Sequence, residues 1–275
     1  MSDSVRTQLK ASANGQTMRK RQSPKRRKSK KAAPAQKPQL QIEEVAHETS
    51  SIEEHANVLF KPNPGPQTEF LAASEREVLY GGSAGGGKSY AMLADPLRYM
   101  GHPQFSGLLL RHTTEELREL IFKSQELYPK IWPGIKWSER KMQWTAPSGA
   151  RLWMSYLDRD EDVLRYQGLA FSWIGFDELT QWATPYAWNY MRSRLRSTAP
   201  DLPIFMRATT NPGGRGHQWV KKMFIDPAPY NRTFDATDTE TGEVLRYPYG
   251  HSKAGKPLFK RRFIPARLSD NPYLS

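Results

Sequence analysis

The residues Gly82 to Ser89, Gly-Ser-Ala-Gly-Gly-Gly-Lys-Ser, fit the pattern G-x-x-x-x-G-K-[ST]. Glycine at 81, 82, 85, 86 and 87 lets a backbone turn through conformations closed to other residues. The N–H groups of Gly82, Ser83, Ala84, Gly85, Gly86 and Gly87 can then point inward at phosphate oxygens. Lys88 adds a positive charge for the β and γ phosphates of a nucleoside triphosphate, and the Ser89 hydroxyl can bind Mg²⁺ where a helix begins. The fixed positions would match by chance in such a chain on the order of 1% of the time. An apolar strand before the pattern and a helical segment after it lower that further.

Hydrolysis needs more than a phosphate cradle. It needs an acid to hold the metal and a carboxylate to polarise water, both set at the end of a buried strand. The stretch Phe171–Leu179, FSWIGFDEL, offers Asp177 for the Mg²⁺ shell and Glu178 as general base or water positioner. The competing reading of this acidic pair is a helix N-cap. A third polar cluster, Thr209, Thr210 and Asn211, ends the apolar run PIFMRATT, on the edge where open α/β sheets bind ligands. Thr210 or Asn211 is placed to bond a γ-phosphate or attacking water; otherwise Asn-Pro here is a turn.

These groups must be carried by a sheet with helices between its strands. Strands are expected at 77–80, 106–111, 150–156, 171–176 and 203–210, and helices at 88–100, 114–128, 186–196 and 217–225. That alternation predicts an α/β fold with a mainly parallel central sheet. Residues 231–250 read as a hairpin around Thr241-Gly242, and KRRFIPARL as a last strand.

Composition bounds the rest. The chain has 275 residues, no cysteine, and 41 Lys plus Arg against 28 Asp plus Glu. Disulfide frameworks and Cys-based zinc sites are excluded. Of the formal charge of +13, residues 1–40 carry +11 and the other 235 residues only +2. Residues 1–57 therefore read as a disordered basic arm with an acidic linker, and residues 58–275 as the folded domain. No run approaches the roughly 18 apolar residues of a membrane helix, and no apolar stretch follows the basic residues as in a signal peptide. A cytoplasmic protein with no membrane partner is expected.

Together GGSAGGGKS, YQGLAFSWIGFDELTQW and RATTNPGGRGHQWVKKMFI resemble the ATPase half of the large terminase subunit of tailed bacteriophages. The resemblance runs from about Phe60 to Ser275. It implies a P-loop NTPase of the additional-strand class, using ATP and Mg²⁺ to push double-stranded DNA through a portal ring into a preformed capsid in the host cytoplasm. The family's Walker A then falls on Gly82 to Ser89, its Walker B aspartate on Asp177, its catalytic glutamate on Glu178 and its coupling motif on Thr209 to Asn211. Its adenine-side glutamine falls on Gln67, whose alternative reading is a plain N-terminal helix residue. Arg165 resembles the arginine that a neighbouring subunit presents to the γ-phosphate, with Arg192, Arg194 and Arg196 as rivals. The implied partners are the portal ring, the small terminase subunit, DNA and further copies of the chain in a ring, a pentamer by family expectation.

Two departures stand out. Many members place an arginine inside the P-loop, where this chain has Ser83 and Ala84. Complete large terminases also continue into a nuclease domain, which this chain is expected to lack. Asp235, Asp238, Glu240 and Glu243 read as a polar hairpin tip, so DNA cleavage is not expected of it. Lys221, Lys222, Lys260, Arg261 and Arg262 are candidate contacts to the DNA backbone, which Lys and Arg grip without reading sequence. The arm could bind DNA, recruit the small subunit, meet acidic capsid or portal patches, or aid solubility. The alternatives to a packaging motor are a non-catalytic DNA-binding accessory protein and another P-loop translocase or helicase.

Overall fold

Strands β1 (Glu77–Gly82), β2 (Ser106–Arg111), β3 (Lys136–Ser138), β4 (Gln143–Thr145), β5 (Arg151–Tyr156), β6 (Trp173–Phe176), β7 (Phe205–Thr210), β8 (Thr233–Asp235) and β9 (Lys260–Ala266) share one sheet. The order is β3-β4-β5-β2-β6-β7-β1-β9-β8. From β5 to β9 the strands run parallel, and the short β3, β4 and β8 pair antiparallel at the two sides. The computed structural model describes residues 60–83 and 85–270, which lie within a unit spanning His55–Ser275. The expected arm and linker over 1–57, and Ala84 of the loop, lie outside the described residues.

Parallel strands must be covered on both faces, and the sequence supplies apolar residues for both. Along β1, Val78 and Tyr80 face one layer and Leu79 the other; along β2, Leu109 faces the first and Leu108 and Leu110 the second. Each fully buried leucine contributes roughly 1.5–3 kcal/mol. The first layer packs against α2 (Lys88–Ala94) and α3 (Thr114–Ile131), and the second against α4 (Tyr186–Arg192) and α5 (His217–Val220). A further helix, α1 (Pro66–Ala72), carries Gln67 in its first turn. It places Phe70 in a stack on Tyr80, with ring centroids 5.3 Å apart.

Local chemistry sets the helix ends. Thr113 caps α3 reciprocally with Glu116, satisfying two amides that the first turn leaves open. The helix expected over 88–100 breaks at Asp95–Tyr99 into a 3₁₀ turn, because Pro96 has no N–H to continue the ladder. The helix expected to 196 stops at Arg192, because Leu195 instead bridges to Phe171. Beyond α5, residues Lys221–Ile225 continue as a π-helix. The excursion after β8 is a hairpin, with Thr237 bridged to Val244 and Gly242 at φ 72° in its turn.

Two buried charge clusters brace the sheet. Glu77, fully buried at the start of β1, accepts from Arg192 at 2.5 Å and Arg261 at 2.7 Å. Asp95, at the end of α2, accepts from Trp173 of β6 at 2.6 Å and lies 3.5 Å from Arg207 of β7. The second cluster joins the helix after the glycine loop to β6 and β7, the strands that lead into Asp177 and Asn211.

Candidate ATP site

The carboxyl edge of the parallel sheet brings the three motifs together. Leaving β1, the chain bends at Gly82, whose φ is 137°; a Cβ there would lie 1.9 Å from the Ala266 carbonyl oxygen. Only glycine fits. Ser83 N–H donates to that same carbonyl at 3.0 Å, tying the loop to the end of β9, and the Tyr80 hydroxyl donates to Gly86 O at 2.8 Å from below. The loop is thus pinned from both sides while its glycines remain free of side chains that would fill it.

Lys88 opens α2 and is almost completely buried. Its ammonium donates to Ser83 O at 2.6 Å and Gly82 O at 3.3 Å, folded back over the loop. Burial pulls its pKa below the ordinary lysine value, against the opposing fields of Glu178 and Asp177. Both carboxylates are thus near enough for Lys88 to feel their charge. Ser89 follows in the first turn of α2. Gln67, 4% exposed on α1, donates to Gly87 O at 2.9 Å and accepts from Asn63 N–H at 2.5 Å.

Asp177 and Glu178 follow β6 directly. Asp177 is fully buried, and its Oδ1 accepts from the Thr209 hydroxyl. The same Thr209 oxygen accepts from Glu178 N–H at 3.1 Å. Glu178 has a φ of 61°, in the left-handed region that non-glycine residues occupy at a cost. Its carboxylate accepts from both Asn211 N–H, at 3.0 Å, and Asn211 Nδ2, at 2.7 Å. Burial and the neighbouring Asp177 charge raise the Glu178 pKa, outweighing Asn211, Arg111 and Lys88. The Thr210 hydroxyl donates to Thr180 Oγ1 at 2.8 Å. The helix N-cap reading of the acids does not describe them, for the element after Glu178 is a three-residue 3₁₀ turn without a side-chain cap.

A family model described as phage terminase large subunit matches residues 74–253, which include the glycine loop, both acids and Thr209 to Asn211 but not Gln67. The chain belongs to that family. Its sheet resembles the large terminase of a thermophilic bacteriophage, at 16% identity and a TM-score of 0.54, over 78% of this chain and 48% of that one. The same terminase in another crystal form, in complex with ADP, gives 15% identity and a TM-score of 0.52 over the same shares. The large terminase ATPase domain of a Thermus phage matches at 11% identity and a TM-score of 0.46, over 75% of this chain and 81% of that one. The chain spans about half the length of the first of these relatives. No curated protein sequence matches it.

Within this terminase-family domain, Arg165 lies away from the chain's own glycine loop. It sits in the 3₁₀ segment Asp160–Tyr166, donates to Tyr156 O at 2.8 Å, and its side chain is 45% exposed. From β5, which ends at Tyr156, to β1 is four strand spacings, or about 19 Å. Its rivals occupy the opposite edge of the sheet. Arg192 is paired with Glu77 at the start of β1, about 17 Å of strand from the glycine loop. Arg194 and Arg196 flank Leu195, which bridges to Phe171 before β6 begins.

Four of the five expected DNA contacts are engaged within the domain. Arg261 is 1% exposed and bonded to Glu77, Arg262 bonds Glu69 and Asn231, and Lys260 pairs with Asp235 at 2.7 Å. Lys221 pairs with Asp226 at 2.6 Å, which leaves Lys222 exposed and with no ion pair within the described residues.

The sequence reading missed Arg111, the last residue of β2. Its Nε lies 2.8 Å from Asp177 Oδ2, and it is 8% exposed. A basic residue ending an apolar strand beside the acid-bearing strand was the available signal, but the two positions are 66 residues apart. Beside the loop, Gly81, Thr210, Asn211, Val220, Tyr230 and Phe263 help to line a mainly apolar cavity of about 300 Å³. Among the described residues, no helix is long and apolar enough to cross a membrane.

Proposed function

We propose that the chain binds ATP with Mg²⁺ at the Gly82–Ser89 loop, hydrolyses it, and uses the energy to drive double-stranded DNA through a portal ring into a preformed capsid. Family membership supports the packaging context. The observation that carries the chemistry is the Thr209 hydroxyl, which touches both acids at once: it donates to Asp177 and accepts from Glu178 N–H. A strand from another part of the chain is thereby bonded to the metal-side acid and to the candidate base.

The residues suit a magnesium nucleotide. Asp177 Oδ2 is a buried acceptor that faces Arg111 and has no hydrogen bond among the described residues, and Ser89 offers a hydroxyl oxygen at the start of α2. Oxygen donors suit Mg²⁺, which keeps waters and takes phosphate oxygens for the rest of its shell. When bound, Mg²⁺ supplies charge neutralisation at the phosphoryl oxygens.

The protein groups then divide the work. The loop amides cradle the phosphates, and Lys88 exchanges its carbonyl partners at Gly82 and Ser83 for phosphate oxygens. Glu178 accepts the proton of the attacking water, and its raised proton affinity suits it to that task. Asn211, bonded to both carboxylate oxygens, registers whether Glu178 is engaged and passes that state along β7. Gln67, joined to Gly87 O, stands on the base side of the loop. Arg165, remote from its own loop, serves a neighbouring copy's γ-phosphate, which requires a ring. The small terminase subunit and the portal complete the machine in the host cytoplasm.

The test is packaging itself. Portal-bearing capsids, DNA and ATP are mixed with the full chain or with Glu178→Gln, and nuclease-protected DNA is measured. The motor reading expects protection with the unaltered chain and none with the variant. Equal protection by both would leave a non-catalytic accessory role.

A further inference from the structure

Asp177 is held in an unusual way. One carboxylate oxygen takes the Thr209 hydroxyl, while the other faces Arg111 Nε at 2.8 Å. Among the described residues neither that oxygen nor that nitrogen has a hydrogen-bond partner, although both are buried. The contact is one of charge without a directed bond. Arg111 is fixed at its backbone, because its carbonyl accepts from Leu157 N–H at 3.0 Å, so adjustment falls to the side chain. An unsatisfied buried carboxylate oxygen and an unsatisfied buried guanidinium N–H each forgo a bond that water or a ligand would supply.

We propose that Arg111 is a positioning residue that stands in for the metal at Asp177. This rests on the ATP–Mg²⁺ reading of the site. Without nucleotide, the guanidinium compensates a carboxylate that burial would otherwise leave as a lone charge. When the magnesium nucleotide binds, Arg111 and the metal compete for the same buried oxygen. Arg111 therefore weakens the hold on the metal, and the magnesium form of the product leaves more readily for the next cycle. Arginine suits this role because its planar, weakly hydrated guanidinium can be buried beside a carboxylate more readily than an ammonium can.

The test follows a fluorescent ADP analogue bound to the full chain, with Mg²⁺ varied and with EDTA. Removing one positive charge a few ångströms from the metal should strengthen metal binding by about tenfold or more. In Arg111→Gln, the half-saturating Mg²⁺ falls by that factor and magnesium-dependent analogue dissociation slows to match. Affinity in EDTA stays within about twofold of the unaltered chain on the same expectation. Arg111→Lys keeps the charge and so keeps the unaltered Mg²⁺ dependence; it carries the test alone if the glutamine variant melts early. A merely structural arginine would lower affinity with and without metal together, which would overturn the proposal. So would an unchanged Mg²⁺ midpoint in a folded Arg111→Gln, or a shifted one in Arg111→Lys. If the unaltered chain binds no analogue under any condition, the ATP-site reading fails first and takes this proposal with it.

Discussion

Asn211 holds Glu178 by both carboxylate oxygens, through its backbone N–H at 3.0 Å and its side-chain amide at 2.7 Å. The residue that follows β7 is thereby joined to the candidate base that follows β6, and the proposed function makes hydrolysis and strand position one mechanical unit. In Asn211→Ala the backbone N–H remains and only the amide is lost, about 1 kcal/mol of bonding. Hydrolysis is expected to fall less than about tenfold, while DNA moved per ATP falls far more. Parallel phosphate-release and packaging assays check this; an equal loss in both would mean that Asn211 serves chemistry alone.

The rate should report the state of Glu178. Burial and Asp177 raise its pKa, so the proton is held to a higher pH than by an ordinary glutamate. The base form is lost as pH falls through that raised value, and the acid limb of kcat lies above the usual carboxylate range. The Asn211 backbone N–H, which holds the value down, survives in Asn211→Ala, but loss of the side-chain donor to the charged carboxylate moves the limb further up. A limb at the same pH in the unaltered chain and Asn211→Ala would contradict this assignment.

Stability has a separate acid dependence, set by Glu77. Burial alone would raise its pKa, but Arg192 and Arg261 outweigh burial and hold it below the ordinary value of 4.5. A depressed pKa contributes stability that is present above 4.5 and lost as pH falls through the lower folded value. Thermal melting between pH 6 and about 3 should show this loss, and Glu77→Gln should flatten it. At neutral pH, Arg261→Ala leaves the buried carboxylate with one partner and is expected to cost about 3–5 kcal/mol.

Much of this was legible in the sequence because it is local. The loop from Gly82 to Ser89, the acids after FSWIGF and the polar end of PIFMRATT each declare themselves within ten residues. What stayed hidden depends on the third dimension. Alternation along β9 turns Arg261 inward onto Glu77, 184 positions away, so a basic run that reads as a DNA contact contains a buried structural arginine. Arg111 looked like the polar end of an ordinary strand, and only the adjacency of β2 and β6 sets it on Asp177. Likewise, Arg192 could rival Arg165 on paper until the fold put the two at opposite edges of the sheet.

Arg165 offers a test of assembly that needs no structure of the ring. If it completes a neighbour's site, Arg165→Ala and Glu178→Gln are each inactive alone. Mixed, they regain part of the activity, because some interfaces pair an intact base with an intact arginine. No recovery in mixtures that assemble normally would place the arginine's role within its own subunit.

The most direct measurement is ATP hydrolysis by the full chain beside Lys88→Ala and Glu178→Gln, with nucleotide binding measured on the same samples. A shared site predicts that Lys88→Ala loses binding and turnover together, while Glu178→Gln keeps binding and loses turnover by about a hundredfold or more. Turnover by Glu178→Gln at the unaltered rate would contradict it.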